Sequence, residues 1–267
     1  MTTLSYGMRD SLTMLTRNLR HMRRYPSLSL LLLGQPLLFL LLFVYVFGGT
    51  LGDGLDGAAV GGAGGREAYV GYVMPAILLM TVASVALGTA ISVATDMTEG
   101  IIARFRTMAI SKASVLTGHV VGALVQTVIG LVVVLGVGLL IGFSPNASLV
   151  EWVAAAGVLL LLAVALTWLT VALGLAAKSV ETASNTPMFL TILPFLGSGF
   201  VPTDSMPAWL RWFAEYQPFT PVIETVRGLL LGTGIGNRGW LAVGWCVLIA
   251  VLCYLWSRSL FARERDR

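Results

Sequence analysis

Charge is scarce in this chain. Acidic and basic residues together make up 11% of its 267 positions, where a soluble domain carries about a quarter. Lysine occurs only at 112 and 178, and neither follows a glycine-rich turn, so the chain has no loop that cradles nucleotide phosphates. The only histidines are His21 and His119. Without HExxH, a cysteine–histidine cluster or GxSxG, a metalloprotease or serine hydrolase has no residues to run on. Cys246 and Cys253 are the only cysteines. Seven residues apart on one apolar run, they stand about 10 Å apart along a helix axis, too far for a disulfide. They read as small packing residues. The string GDGLDG at 52–57 spells GxGxxG, but it follows an apolar run, opens no helix and lies among glycines, so it reads as a flexible loop. The alternating pattern of a membrane β-barrel is also missing.

What is present is apolar. Hydrophobic residues make up 57% of the chain, with a mean hydropathy of +0.86. They gather into six runs at 27–47, 69–94, 114–142, 150–177, 184–200 and 238–258. Most match the roughly 20 helical residues needed to cross a hydrocarbon core of about 30 Å. Inside a bilayer each run must satisfy its own backbone hydrogen bonds, which helices do and open strands do not. The expectation is an all-α polytopic membrane protein, one domain over 1–267 with six transmembrane helices. Residues 1–26 lack the short apolar core and small-residue cleavage site of a signal peptide.

Basic residues set the predicted orientation. Thirteen of the seventeen fall before the first run, between the second and third, between the fourth and fifth, or after the sixth. Arg66, Arg211, Arg227 and Arg238 fall on the other side. Both termini are therefore expected in the cytoplasm, and the net charge of +4 reads as attraction to an anionic leaflet rather than to nucleic acid. Within 1–26, Leu4, Met8, Leu12, Leu15, Leu19 and Met22 recur every three or four residues while the arginines lie mostly elsewhere on the wheel. That is an amphipathic helix lying in the cytoplasmic interface, separated by Pro26 from the first span. The alternative is a solvated basic arm.

The loop at 95–113 holds a short amphipathic pattern. Asp96 and Glu99 are spaced like a capping box. Ile101, Phe105 and Met108 share a helical face, and Arg104 and Arg106 flank it. An aromatic anchor ringed by charge suits a partner's groove; the alternative is a helix folded back on the chain's own spans. The segment 201–237 carries Pro202, Pro207, Pro218 and Pro221. Two short helices fit between the prolines, near 207–216 and 221–231, too short to cross and suited to dip into the membrane or cap it. Glu224 and Arg227 are three apart and would pair, as a pathway lining or gate or as an ordinary interfacial ion pair. Gly118 and Gly122 form one GxxxG, a weak packing signal. Ionisable residues are too few in the runs for a proton relay, and no inverted repeat suggests a secondary transporter.

Three segments carry a resemblance. Residues 35–39 (QPLLF) with 42–49 (LFVYVFGG) are similar to the opening of the daunorubicin-resistance type of ABC-2 export permease. Residues 96–106 (DMTEGIIARFR) and 110–118 (ISKASVLTG) resemble that family's stretch after its second span, and 200–202 (FVP), 206–209 (MPAW), 217–221 (QPFTP) and 227–228 (RG) resemble its proline-rich outer segment. The chain departs from the pattern at Ala109, where the family has proline, and at Pro75-Ala76, where it has proline–glycine. The resemblance implies six spans, an N-terminal interfacial helix, a cytoplasmic coupling helix at 96–111 and two outer re-entrant helices. It implies a second permease copy or paralogue, and two copies of a separate cytoplasmic ABC ATPase that carry the ATP and magnesium, with no cofactor on this chain. The substrate would be apolar or amphipathic and drug-like, moved out across the bacterial cytoplasmic membrane; lipid or polysaccharide export, a non-transport regulatory role, and a membrane-embedded enzyme are the competing readings. The last would need paired polar catalytic residues inside the spans, and none is evident.

Overall fold

A computed structural model describes residues 26–53, 65–98 and 112–263. Among them the secondary structure is helical, with no strand. The long helices are α1, Pro26–Leu42, which runs on through a π-helical turn at Phe43–Phe47 into Gly48–Gly52; α2, Gly65–Thr98; α3, Lys112–Leu140; and α4, Leu149–Ala176. After α4 come the short α5, Val180–Asn185, then α6, Ala208–Tyr216, α7, Phe219–Leu231, and the long α8, Arg238–Arg263. Five of these are long and apolar enough to cross a membrane: Leu32–Gly52, α2, α3, α4 and Arg238–Leu260.

The run at 184–200 does not form one continuous helix. It divides into the end of α5, a 3₁₀ turn at Thr186–Met188, a single α turn at Phe189–Ile192 and a 3₁₀ turn at Leu193–Leu196. Pro187 and Pro194 open the two 3₁₀ turns. Each lacks the N–H that would continue the ladder, and its ring crowds the carbonyl four residues back. Apolar length alone overlooked these two breaks.

α2 is the axle of the bundle. It packs against α1, α3, α4, α5 and α7. Of its most apolar stretch 78% is buried, against 17% in α8. Its neighbours approach closely because small residues lie at the crossings. A Cβ on Gly174 of α4 would come within 2.8 Å of the Ala90 carbonyl oxygen, and one on Gly88 within 2.6 Å of Leu32. α8 packs on α4 and on α7. Threonines inside these helices bond within their own turns: Thr81 donates to the Ile77 carbonyl at 2.9 Å and Thr170 to that of Thr167 at 3.0 Å. Hydroxyls are thereby tolerated where water is absent.

A capping box does occur, but not at Asp96. Ser148 caps α4: its backbone N–H donates to Glu151 Oε2 at 2.7 Å, and its Oγ accepts from the Glu151 N–H at 3.4 Å. Asp96 lies inside the last turns of α2, which extends to Thr98. It therefore cannot start a new helix there.

Candidate functional site

At one end of the bundle the broken segment, α2 and α7 meet around a buried arginine. Arg227 is 7% exposed. Its Nε and Nη2 donate to the Tyr72 carbonyl at 3.2 and 2.9 Å, and Nη2 also donates to the Ser198 carbonyl at 2.8 Å. The guanidinium carbon lies 3.8 Å from the centre of the Tyr72 ring. A buried cation is costly unless its protons and charge find partners. Two carbonyl dipoles and a ring face supply them here, the ring through its negative π cloud. Pro75 lies inside α2 and has no N–H to offer Gly71, so the helix ladder is open in the turn that Arg227 enters.

The turn at 197–200 completes the knot. The Ser198 N–H donates to Thr220 Oγ1 at 3.3 Å. Gln217 Nε2 donates to the Leu193 carbonyl at 3.2 Å, and Tyr69 donates through its hydroxyl to the Phe200 carbonyl at 3.3 Å. Gly197 is required by space: a Cβ there would lie 2.4 Å from both Gln217 Nε2 and Thr220 Oγ1. Behind the turn, Phe195 and Phe200 stack at 4.4 Å, with Phe43 of the π-helical turn 4.4 Å from Phe200. Two buried atoms of the knot, Ser198 Oγ and Gln217 Oε1, have no hydrogen-bond partner among the described residues.

Glu224 and Arg227 do not pair. Glu224 instead meets Arg238 of α8 at 3.1 Å, and Arg238 Nη1 also donates to the Glu215 carbonyl at 3.3 Å. Arg238 thus ties the start of α8 to the last turn of α6 and to the middle of α7. On α6, Arg211 bridges Glu215 at 2.7 Å and contacts Asp204; the bond to Glu215 and the charge of Asp204 hold its guanidinium above the ordinary arginine value.

A family model described as ABC-2 type transporter matches residues 10–231. The chain belongs to the ABC-2 type transporter family. It is 28% identical over 250 residues to the daunorubicin resistance ABC transporter permease protein DrrB1 of Streptomyces coeruleorubidus, covering 93% of this chain and 84% of that one. It is 26% identical over 184 residues to the probable doxorubicin resistance ABC transporter permease protein DrrC of Mycobacterium tuberculosis, covering 67% of this chain and 66% of that one.

In this ABC-2 permease the four prolines of 201–237 are punctuation. Pro202 precedes the 3₁₀ turn Thr203–Ser205, Pro207 caps α6 and Pro218 caps α7, with Pro221 in the first turn of α7. Of the expected coupling-helix residues only Asp96 lies among those described; Glu99, Ile101, Arg104, Phe105, Arg106 and Met108 lie outside them. Asp96 is buried, and its Oδ2 lies 3.2 Å from Nε2 of His119 in α3. This contact joins the two helices that flank residues 99–111. Its only sequence signal was a histidine set inside an apolar run. Tyr72 and Ser198 carried no signal, because they contribute backbone groups and a ring to a tertiary contact, and Gln217 and Thr220 entered only as part of the string 217–221, with nothing to show the tertiary contacts of their amide and hydroxyl.

Proposed function

We propose that this chain is the membrane subunit of an ATP-driven exporter that moves apolar or amphipathic, drug-like compounds out of the cell. The family match is the observation that carries this reading. The drug-resistance names of the two permeases it resembles support the substrate class. With no phosphate-binding loop of its own, the chain takes its energy from a separate ABC ATPase that binds ATP and magnesium. Two such ATPases serve a pair of permeases, either two copies of this chain or one copy and a paralogue.

In this reading the broken segment 184–200 also crosses, as the fifth of six spans, both termini are cytoplasmic, and the knot around Arg227 faces outward. The coupling segment expected at 96–111 then starts in the last turn of α2 and continues through 99–111, with Phe105 and Ile101 in the ATPase groove and Arg104 and Arg106 at its rim. ATP closes the ATPase pair, the coupling helices follow, and α2 and α3 move with them between two packings. The outer knot suits such a change. Among the described residues it leaves Ser198 Oγ and Gln217 Oε1 buried without partners, so a second arrangement that satisfies them would gain hydrogen bonds that this one lacks.

Co-purification with the ABC ATPase, then ATP hydrolysis in lipid with a panel of amphipathic drugs, tests the reading. A stable complex whose hydrolysis one drug class stimulates is expected; a chain that purifies alone and leaves hydrolysis unchanged overturns it. Phe105→Ala is expected to weaken the complex, and undiminished co-purification would remove Phe105 as the anchor.

A further inference from the structure

The two short helices between Pro207 and Leu231 are different in kind. α7 is buried along most of its length, Phe219, Val222, Ile223, Val226 and Leu230 included, and packs on α2, α4 and α8. α6 is not. Trp209, Trp212, Phe213 and Tyr216 are 76%, 69%, 43% and 58% exposed. Spaced at i, i+3, i+4 and i+7, they form one continuous aromatic face. Arg211 and Glu215 pair with each other at 2.7 Å, and their positions lie on the opposite side of the wheel. Ala214 faces inward, fully buried.

We propose that the aromatic face of α6 is a lipid-binding surface that lies along the boundary between phospholipid headgroups and acyl chains, parallel to the membrane plane. Three observations fix this occupant. The first is depth. The Arg238 bond to the Glu215 carbonyl sets the end of α6 level with the first turn of α8, a helix apolar enough to cross the membrane. The second is company. Trp240, in that same first turn, is 81% exposed, so another bare ring stands at the end of α8 to which Arg238 ties α6. The third is segregation. A helix dipping into hydrocarbon would carry the Arg211–Glu215 pair with it, at a high desolvation cost; lying flat, α6 leaves that pair in water and places four rings in lipid. Amphipathic rings favour this depth because one edge is apolar and the other wet. The inference holds whether or not the chain moves a solute.

The test places an environment-sensitive fluorophore on Trp212→Cys, Trp209→Cys and Arg211→Cys in the full chain, reconstituted in phosphatidylcholine vesicles. Wild-type protein, whose Cys246 and Cys253 are buried, sets the labelling background. The label at 212 is expected to be quenched several-fold more by nitroxide on the headgroup or high on the acyl chain than by nitroxide near the chain's methyl end, and to resist aqueous iodide. The label at 211 is expected to show the reverse response to iodide. Strongest quenching at 212 by the methyl-end nitroxide would mean that α6 dips into the core. Equal iodide quenching at 211 and 212 without lipid quenching would put the face in water. Cross-linking of 212 between two chains without lipid quenching would assign it to a second copy. Each of these three results overturns the proposal, and Trp209→Cys gives an independent reading should Trp212→Cys fail to fold.

Discussion

Arg227 is held by three hydrogen bonds to two carbonyls and by one ring face. That arrangement needs a planar fork, which lysine lacks. Arg227→Lys is therefore expected to lose stability through the missing bidentate contact at Tyr72. Arg227→Ala, which leaves the carbonyls of Tyr72 and Ser198 buried and bare, is expected to cost about 2–4 kcal/mol. Denaturation in detergent micelles, followed by fluorescence, measures both; an Arg227→Ala protein as stable as wild type would show that the knot contributes nothing. The residue itself was legible, because a cation in an apolar segment stands out. Its partner was not. Spacing on one helix proposes Glu224, yet Glu224 turns to Arg238, which local sequence cannot foresee. Carbonyl acceptors carry no side-chain signature at all.

Elements differ in how legible they are, for reasons that apolar length explains. A long uninterrupted run has no better structure than a helix, and five of the six runs are long helices. The run at 184–200 has the composition of a span but contains Pro187 and Pro194; hydropathy weighs a proline lightly while the backbone ladder does not. The short helices α6 and α7 were legible from their flanking prolines. Capping is less legible: the Asp96–Glu99 spacing suggests a box, whereas it is the same three-residue spacing at Ser148 and Glu151 that closes one. Asp96 is instead absorbed by a helix that overruns it by two residues. Ser148→Ala is expected to destabilise the start of α4 by about 1 kcal/mol. Hydrogen exchange at the first-turn amides of α4 checks it: faster exchange confined to that turn is the expected result, and unchanged protection would mean that tertiary packing alone holds it.

At the scale of the whole molecule, stability rests on how closely α1 and α4 can be stacked around α2. Gly174 sets one of those distances, with a Cβ position 2.8 Å from the Ala90 carbonyl oxygen and 3.1 Å from the Val93 Cβ. Gly174→Val is expected to force the two helices apart and cost about 1–3 kcal/mol as an overpacked contact. Thermal unfolding of the purified permease measures this, and an unchanged midpoint would mean that the crossing yields without cost. None of this was legible in the sequence, where Gly174 is one of 30 glycines. Which small residue meets which neighbour is decided only when the helices are assembled.

α2 also has a mechanical property. Tyr72, which receives Arg227, and Asp96, which contacts His119, lie on one helix, about 36 Å apart along its axis at 1.5 Å per residue. Each end is gripped by a different set of helices. A stiff strut of that length works as a lever: pivoting by about 5° at one end swings the other by about 3 Å. That is as far as a hydrogen bond is long, so a small tilt that the neighbouring helices follow is enough to make or release the grip at its tip.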